Sequence, residues 1–498
     1  MAILSTSDLL VRLAFDNPWW NAEADTPIRF RTPPKRDFFA PFLARAQAMG
    51  MGRALLLAGP LRAGKTVLLR QTVAHLIGQG VPPGHILYAS FATPSYATAD
   101  FSALVAAFAR ERKHETSAEL YILLDEVQYA PEFAKLLLGL ARAYPRARVI
   151  GAASAQAPAL ATDAVAHGGR LETFVLPPLT FAEFLAVRGR DKDLFAGAGG
   201  HELASLKPGA LPQLDAEFQH YVNFGSFPEG VAGPNARPPA PGFVRDHLAE
   251  RVLRRDLAGL AGIADAAELG RVFLILARDT GRETGIDDLA KAVGIAKNTL
   301  RKYLDFLEQA FLIRRVERLD QAGRRFQRAV AFKSYLVAPS LRSCLLGPAS
   351  PADAGFADVA ETALAAQWLG SPDAGRLAHA SWREGHVDLI ALDANGKPLR
   401  AFEVDWQDAY AKGAGVKGPG HLVGFVETTN PEAKAFVLTR ASARPARMRK
   451  TDVTLVPLAM FAYWAGRETL ARLAAATRAQ PVRTSARPAT PPAIQAAS

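Results

Sequence analysis

The stretch "ALLLAGPLRAGKTVLLRQTVAHLIGQG", Ala54 to Gly80, decides the fold. It opens on a short apolar run closed by glycine, which reads as a buried parallel strand. It ends, from Gly64 onward, as a helix closed by glycine. Between strand and helix, Gly59-Pro60-Leu61-Arg62-Ala63-Gly64-Lys65-Thr66 fits the spacing G-x-x-x-x-G-K-[ST] in full, in the context that pattern requires. The two glycines let the backbone curl until successive N–H groups face one point, where a phosphate chain fits. Lys65 can reach the β- and γ-phosphates, and Thr66 can offer a hydroxyl to Mg²⁺. The helix that continues through Val67 adds its positive end. ATP and Mg²⁺ are the ligands this chemistry calls for.

A phosphate loop needs an acidic partner. "YILLDEVQ" supplies Asp125 and Glu126 at the end of another apolar run. Asp125 suits the Mg²⁺ partner of Thr66, and Glu126 suits the base that orients the attacking water. Ser154, just beyond "ARVIGAA", is placed to sense the γ-phosphate, although a turn serine is also expected there. Arg170 precedes the next strand, where an arginine can reach across a subunit boundary to a neighbour's γ-phosphate. A surface arginine is the plain alternative. Apolar runs at "HILYASF", "YILLDE" and "ARVIGAAS" alternate with helical segments, so Phe38 to about Arg190 is expected to be a doubly wound α/β domain.

The chain has 498 residues, of which 49% are hydrophobic and 21% charged, which predicts several globular domains. Its one cysteine, Cys344, excludes an intramolecular disulfide and suits a reducing cytosol. The N-terminus lacks a signal-peptide pattern, and no apolar segment reaches the roughly 18 residues a bilayer span needs. A soluble, cytoplasmic protein is expected, with nucleoid association open. Net charge is +11, and between Lys291 and Lys333 eleven Lys/Arg stand against four Asp/Glu. Such a cluster favours polyanions, or is simply a solvated face.

"IDDLAKAVGIAKNTLRKYLDFLEQAFLIRRVERL" reads as a helix, a turn at Gly294, a second helix and a strand. A winged helix-turn-helix is the expected unit, with DNA as partner. Lys297, Arg301 and Lys302 lie on or beside the second helix, and Arg324 and Arg325 lie in a basic wing. Further on, "HVDLIAL" and "RAFEVD" place Asp388 and Glu403 on adjacent strands, and Glu361 lies on a preceding helix. Three carboxylates suit Mg²⁺ or Mn²⁺. The lysine that a nuclease carries two residues after its second acid is replaced by Asp405, which strand alternation sets on the same face as Glu403. Lys412 and Lys417 are candidate substitutes. A degenerate, inactive site is expected, and an ordinary hairpin stays open.

The motifs "NPWW", "GPLRAGKT", "LLDEVQ", "GGRLETFVLPPLTFAEF", "NFGSFPEG" and "HVDLIAL…FEV" together resemble prokaryotic AAA-type (AAA+/STAND-like) ATPases that join a P-loop core to a winged helix and a C-terminal PD-(D/E)xK nuclease-like domain. The resemblance implies an α/β AAA+ core with a helical lid whose Gly225-Ser226-Phe227-Pro228 lies near the nucleotide base. It also implies relatedness to ATPases in which nucleotide state changes domain arrangement or assembly. It departs from the family at Gly151-Ala152-Ala153-Ser154, which keeps one sensor hydroxyl, and at Asp405. The expected division is 1–37 arm, 38–190 core, 191–264 lid, 265–335 winged helix, 336–474 nuclease-like domain and 475–498 disordered tail. The expected function is a DNA-binding, oligomeric ATPase with an inactive nuclease-like domain. A switch with a protein partner and an ATP-gated nuclease are the alternatives.

Overall fold

The computed structural model describes residues 5–21, 34–154, 168–196, 205–231, 265–326, 331–371, 376–410, 419–448 and 450–479. Lys412, Lys417, most of the expected lid and the expected tail beyond Ala479 lie outside the described residues.

Five parallel strands build the first sheet, in the order β2 (Ile86–Ser90), β3 (Tyr121–Asp125), β4 (Arg148–Ala153), β1 (Ala54–Ala58) and β5 (Leu171–Val175). Every residue of β1 is buried, because helices cover both faces. Ala54, Leu56 and Ala58 enter one core with Leu104, Val105 and Phe108 of α4 (Phe101–Glu111) and Leu137 of α5 (Phe133–Ala143). Leu55 and Leu57 point the other way, into a core with Phe42 of α2 (Phe39–Gln47) and Leu68, Leu69 and Val73 of α3 (Lys65–Gly78). Successive side chains of a strand leave opposite faces, so an unbroken apolar run can feed two cores. The doubly wound α/β core expected from the sequence is present.

The N-terminal segment packs beside the first sheet. Helix α1 (Thr6–Asp16) starts at a Ser5/Asp8 capping box, and Pro18–Trp20 form a 3₁₀ turn. The Asn17 amide then imitates a strand beside β2, donating to the Tyr88 carbonyl at 2.7 Å and accepting from the Tyr88 N–H at 2.7 Å. Trp19 and Trp20 both donate their indole N–H to the Ile86 carbonyl, at 3.1 and 2.8 Å. The paired tryptophans therefore pack on the open edge of their own core, which blunts that edge.

Beyond β5 come α6 (Phe181–Val187), capped by a Thr180/Glu183 box, and α7 (Leu211–His220), continued by a π turn over Tyr221–Gly225. Next follow α8 (Ala266–Arg278), β6 (Glu283–Gly285), α9 (Ile286–Val293), α10 (Lys297–Gln309), β7 (Ile313–Leu319) and β8 (Ala331–Leu336). Gly294 closes α9 at φ 79°, a left-handed turn that glycine adopts without penalty.

The remainder contains α11 (Ser340–Leu346), α12 (Phe356–Ala366), β9 (Leu377–Trp382), β10 (Gly385–Leu392), β11 (Pro398–Asp405), α13 (Gly420–Thr429), β12 (Lys434–Thr439), β13 (Arg444–Met448), β14 (Thr451–Pro457) and α14 (Leu458–Ala479). All these strands and β6–β8 belong to one nine-stranded sheet, in the order β13-β14-β12-β11-β10-β9-β7-β8-β6. The junction is a parallel pairing of β7 with β9, Glu317 opposite Ala378. The boundary placed at 335/336 thus divides one continuous sheet. Helix α14 returns to the first domain, where it packs on α6 and α2. The Gln367 side chain accepts from the Phe181 N–H at 2.8 Å, and its backbone carbonyl accepts from the Thr469 hydroxyl at 3.0 Å. Helix continues through Ala479, so the boundary set near Ala475 moves past that residue. Among the described residues no helix is long and apolar enough to cross a membrane.

Candidate functional site: a phosphate loop and its acidic partners

The loop leaves β1 at its C-terminal end. At Gly59 a Cβ would meet the Leu176 carbonyl oxygen at 2.2 Å, so only glycine lets the chain pass β5 there. Gly64 sits at φ 96° as the N-cap of α3, and no side chain caps that helix. Its first amides are therefore offered to a ligand. Lys65 is buried, and its ammonium donates to the carbonyls of Gly59 and Pro60 at 2.9 and 2.8 Å, which holds it at the mouth of the loop. Val67 lies partly buried in the first turn.

The Thr66 hydroxyl donates to Asp125 at 2.8 Å, and the Tyr88 hydroxyl donates to the same oxygen at 3.1 Å. Burial, and then the charge of Glu126, push the Asp125 carboxyl above its usual range, against the pull of both hydroxyls and Lys65. A buried carboxylate in that position gains from a divalent cation beside it, so Thr66 and Asp125 fit Mg²⁺. Glu126 stands at φ 53° directly after β3 and accepts a hydrogen bond from the Gln128 amide. Gln128 in turn accepts from the Ser154 N–H at 3.3 Å. Ala153 is paired with Ala58, which sets Ser154 beside the loop, and its buried hydroxyl has no hydrogen-bond partner among the described residues. Such an orphan is a ready donor to a phosphate oxygen. Arg170 is exposed at the other end of the sheet, where its carbonyl accepts from the Ala54 N–H. With β1 about 16 Å long, that arginine is out of reach of its own loop.

Three contacts tie the loop to the rest of the chain. Arg36 donates to the Ala63 carbonyl at 2.7 Å, to the carbonyls of Pro177 and Pro178, and to both oxygens of Glu183 at 3.0 and 2.7 Å. Arg62, at φ 66°, forms an ion pair with Glu229. Pro228 faces Gly64, with its Cγ 3.9 Å from where a Cβ would be. Pro228 thus lies over the phosphate loop. Its neighbour Phe227 is buried in the core of the α8–α10 unit together with Leu269, Leu300 and Leu304, and Leu61 of the loop packs against the same core.

Within that unit, Lys297, Arg301 and Lys302 are exposed on α10. Lys297 pairs with Asp287 at 2.7 Å and Arg301 bonds Asn298 at 3.0 Å. Arg324 pairs with Asp320 at 2.8 Å and Arg325 with Glu317 at 3.0 Å. Lys297, Arg324 and Arg325 are thus each paired with a carboxylate, while Arg301 contacts a side-chain amide.

The carboxylates of the C-terminal sheet have other partners than a metal. Asp405 is buried, and its two oxygens accept the N–H groups of Ala409 and Tyr410 at 2.8 and 2.9 Å. It caps the turn that ends β11 and stays close enough to Glu403 that, after burial, its charge helps push that carboxyl upward. Asp388 accepts from the Val404 N–H at 2.9 Å, and Glu403 accepts from the Tyr410 hydroxyl. Burial drives Glu403 up to about 7 and Glu361 up to about 8. Among the described residues, no three His, Cys, Asp or Glu side chains stand together so as to hold a metal ion. The expected Mg²⁺ or Mn²⁺ does not fit Glu361, Asp388 and Glu403 as they stand. The cation found there is Lys333.

Arg36, Tyr88, Gln128, Glu229 and Lys333 were not singled out from the sequence. Lys333 carried a signal: a lone charge inside the apolar strand "AFKSYLVA" is buried, and a buried charge needs a partner.

A sheet with β4 between β1 and β3, a phosphate loop after β1 and paired acids after β3 define a P-loop nucleotide-binding domain. Residues 51–185 match a family described as "AAA domain", so this segment is similar to AAA-type P-loop domains. Residues 215–352 match a domain of unknown function (DUF8612). An uncharacterized protein of Haemophilus influenzae is 26% identical over 303 residues, 59% of this chain and 69% of that protein. An uncharacterized protein of Mycobacterium tuberculosis is 25% identical over 276 residues, and the match spans about half of each chain, 54% of this one and 51% of the other. AMPPCP-bound DnaA from Aquifex aeolicus aligns over 55% of this chain and 86% of its own at 14% identity and a TM-score of 0.23, a likeness too slight to bear on function.

Proposed function

We propose that the protein hydrolyses ATP with Mg²⁺ and uses the nucleotide state to alter how the α8–α10 unit engages DNA. The observation that carries this reading is the meeting of Thr66, Asp125, Glu126 and Ser154 at the end of β1 where the loop opens. In this reading Lys65 and the α3 amides hold the phosphates, and Thr66 and Asp125 hold Mg²⁺. That ion would neutralise charge on the transferred phosphoryl group. Glu126 orients the water, and Ser154 contacts the γ-phosphate. Leu61 and Phe227 supply the route to the helical unit, because a phosphate that reshapes the loop also reshapes packing around α8 and α10. We read α8–β8 as a winged helix with α10 in a DNA groove, and β9–α14 as a nuclease-like fold without cleavage activity.

Arg301 and Lys302 would contact phosphates, which makes binding blind to sequence and sensitive to salt. Arg301→Glu combined with Lys302→Glu is expected to weaken DNA binding across sequences. It should also lower the log–log salt slope by about one per lost phosphate contact. Fluorescence anisotropy at several salt concentrations reads both quantities, and an unchanged slope would remove α10 from the interface.

Arg170 is assigned to a neighbouring subunit's γ-phosphate, since it lies far from its own loop. Arg170→Ala and Lys65→Ala proteins, each inactive alone, should regain part of the turnover when mixed. A wild type that is active as a strict monomer would rule this assignment out.

A further inference from the structure

We infer that the Lys333 ammonium is a built-in cation standing where a divalent ion would bind between Glu361 and Asp388, which closes the C-terminal carboxylate cluster to metal in the folded chain.

Lys333 reaches this place from β8, a strand of the helical unit, and is 8% exposed. Its ammonium donates to Glu361 Oε1 at 2.9 Å and to the Asp388 carbonyl at 3.0 Å, and it lies 3.5 Å from Asp388 Oδ1. The Tyr335 hydroxyl donates to the same Glu361 oxygen. Helix α12, which carries Glu361, packs against both β8 and β11, so the sheet curves around it and the lysine can bridge strands that are not neighbours.

Glu403 supplies a second, independent observation. The register that pairs Leu389 with Phe402 sets Asp388 opposite Glu403 on one face of the sheet. Glu403 is 8% exposed, and its Oε2 is buried with no hydrogen-bond partner among the described residues. An unused carboxylate oxygen at such a depth is costly. It is the oxygen that a cation in the cluster would take, and the ammonium is already committed to Glu361 and Asp388. Removing Lys333 therefore uncovers Asp388 Oδ1 and Glu361 Oε1, which keeps its Tyr335 hydroxyl, to a hard divalent ion that Glu403 on the neighbouring strand can approach.

The lysine also joins the helical unit to the C-terminal strands. Buried ion pairs contribute little net stability but are costly to break from one side. Lys333 thus holds β8 and the cluster in one arrangement.

The test uses full-length, nucleotide-free protein stripped with EDTA and titrated with Mn²⁺, followed by calorimetry and thermal unfolding. Wild type and Asp388→Asn should respond alike, with no Asp388-dependent site. Lys333→Met should gain one saturable Mn²⁺ site per chain and a melting temperature that rises with Mn²⁺. Both gains should disappear in Lys333→Met with Asp388→Asn. Mn²⁺ binding to wild type that is lost in Asp388→Asn would overturn the inference, since metal would then displace the lysine. So would a folded Lys333→Met protein that binds no Mn²⁺. Should Lys333→Met fail to fold, the comparison of wild type with Asp388→Asn decides.

Discussion

Glu126→Gln is expected to lower ATP turnover by about two to four orders of magnitude while ATP binding stays within a few-fold of wild type. The residue lies outside the phosphate loop, so binding does not depend on it. Glutamine keeps the length of the side chain and its contact with Gln128, but it cannot accept a proton from the attacking water. The backbone at φ 53° is maintained by the turn after β3 and is as open to glutamine as to glutamate. Single-turnover hydrolysis together with equilibrium binding of a fluorescent ATP analogue separates the two effects. Normal hydrolysis in this variant would remove Glu126 from the chemistry. Lost binding would instead assign it to the nucleotide pocket.

Arg36→Ala is expected to cost about 3–5 kcal/mol of stability, because it strands a buried carboxylate. The two side chains are 9% and 2% exposed, so water replaces little of what Glu183 loses. Three backbone carbonyls lose a donor in the same step, among them that of Ala63 inside the phosphate loop. Weaker ATP binding should therefore accompany the lower stability. Arg36→Lys should recover only part of the loss, since an ammonium cannot pair bidentately with Glu183 while reaching those carbonyls. Chemical denaturation of the three proteins checks this, and an Arg36→Ala protein as stable as wild type would contradict it.

Much of the nucleotide site was legible because its signals are local. Glycine spacing, an apolar strand before the loop and paired acids at the end of β3 are properties of short segments, and the structure brings Thr66, Asp125, Glu126 and Ser154 together. What escaped depends on distant partners. Nothing near Glu317 indicates that it will pair in parallel with Ala378, so the continuous sheet was read as two units. Asp405 was half legible: alternation along β11 keeps it beside Glu403, but its two hydrogen bonds to the backbone of Ala409 and Tyr410 depend on the turn that follows. Lys333 belongs to the same class: its sequence position is remote from Glu361 and Asp388, and only the curve of the sheet around α12 brings them into contact.

In the proposed function, nucleotide hydrolysis and the α8–α10 unit are coupled through Leu61 and Phe227. Steady-state ATP turnover with Mg²⁺, with and without single-stranded, duplex and branched DNA, tests it most directly when wild type and the Arg301→Glu, Lys302→Glu protein are compared. At least one DNA form is expected to change wild-type turnover, while the double variant keeps its basal rate without responding. Turnover that no DNA alters, in a protein shown to bind DNA under the same conditions, would contradict it.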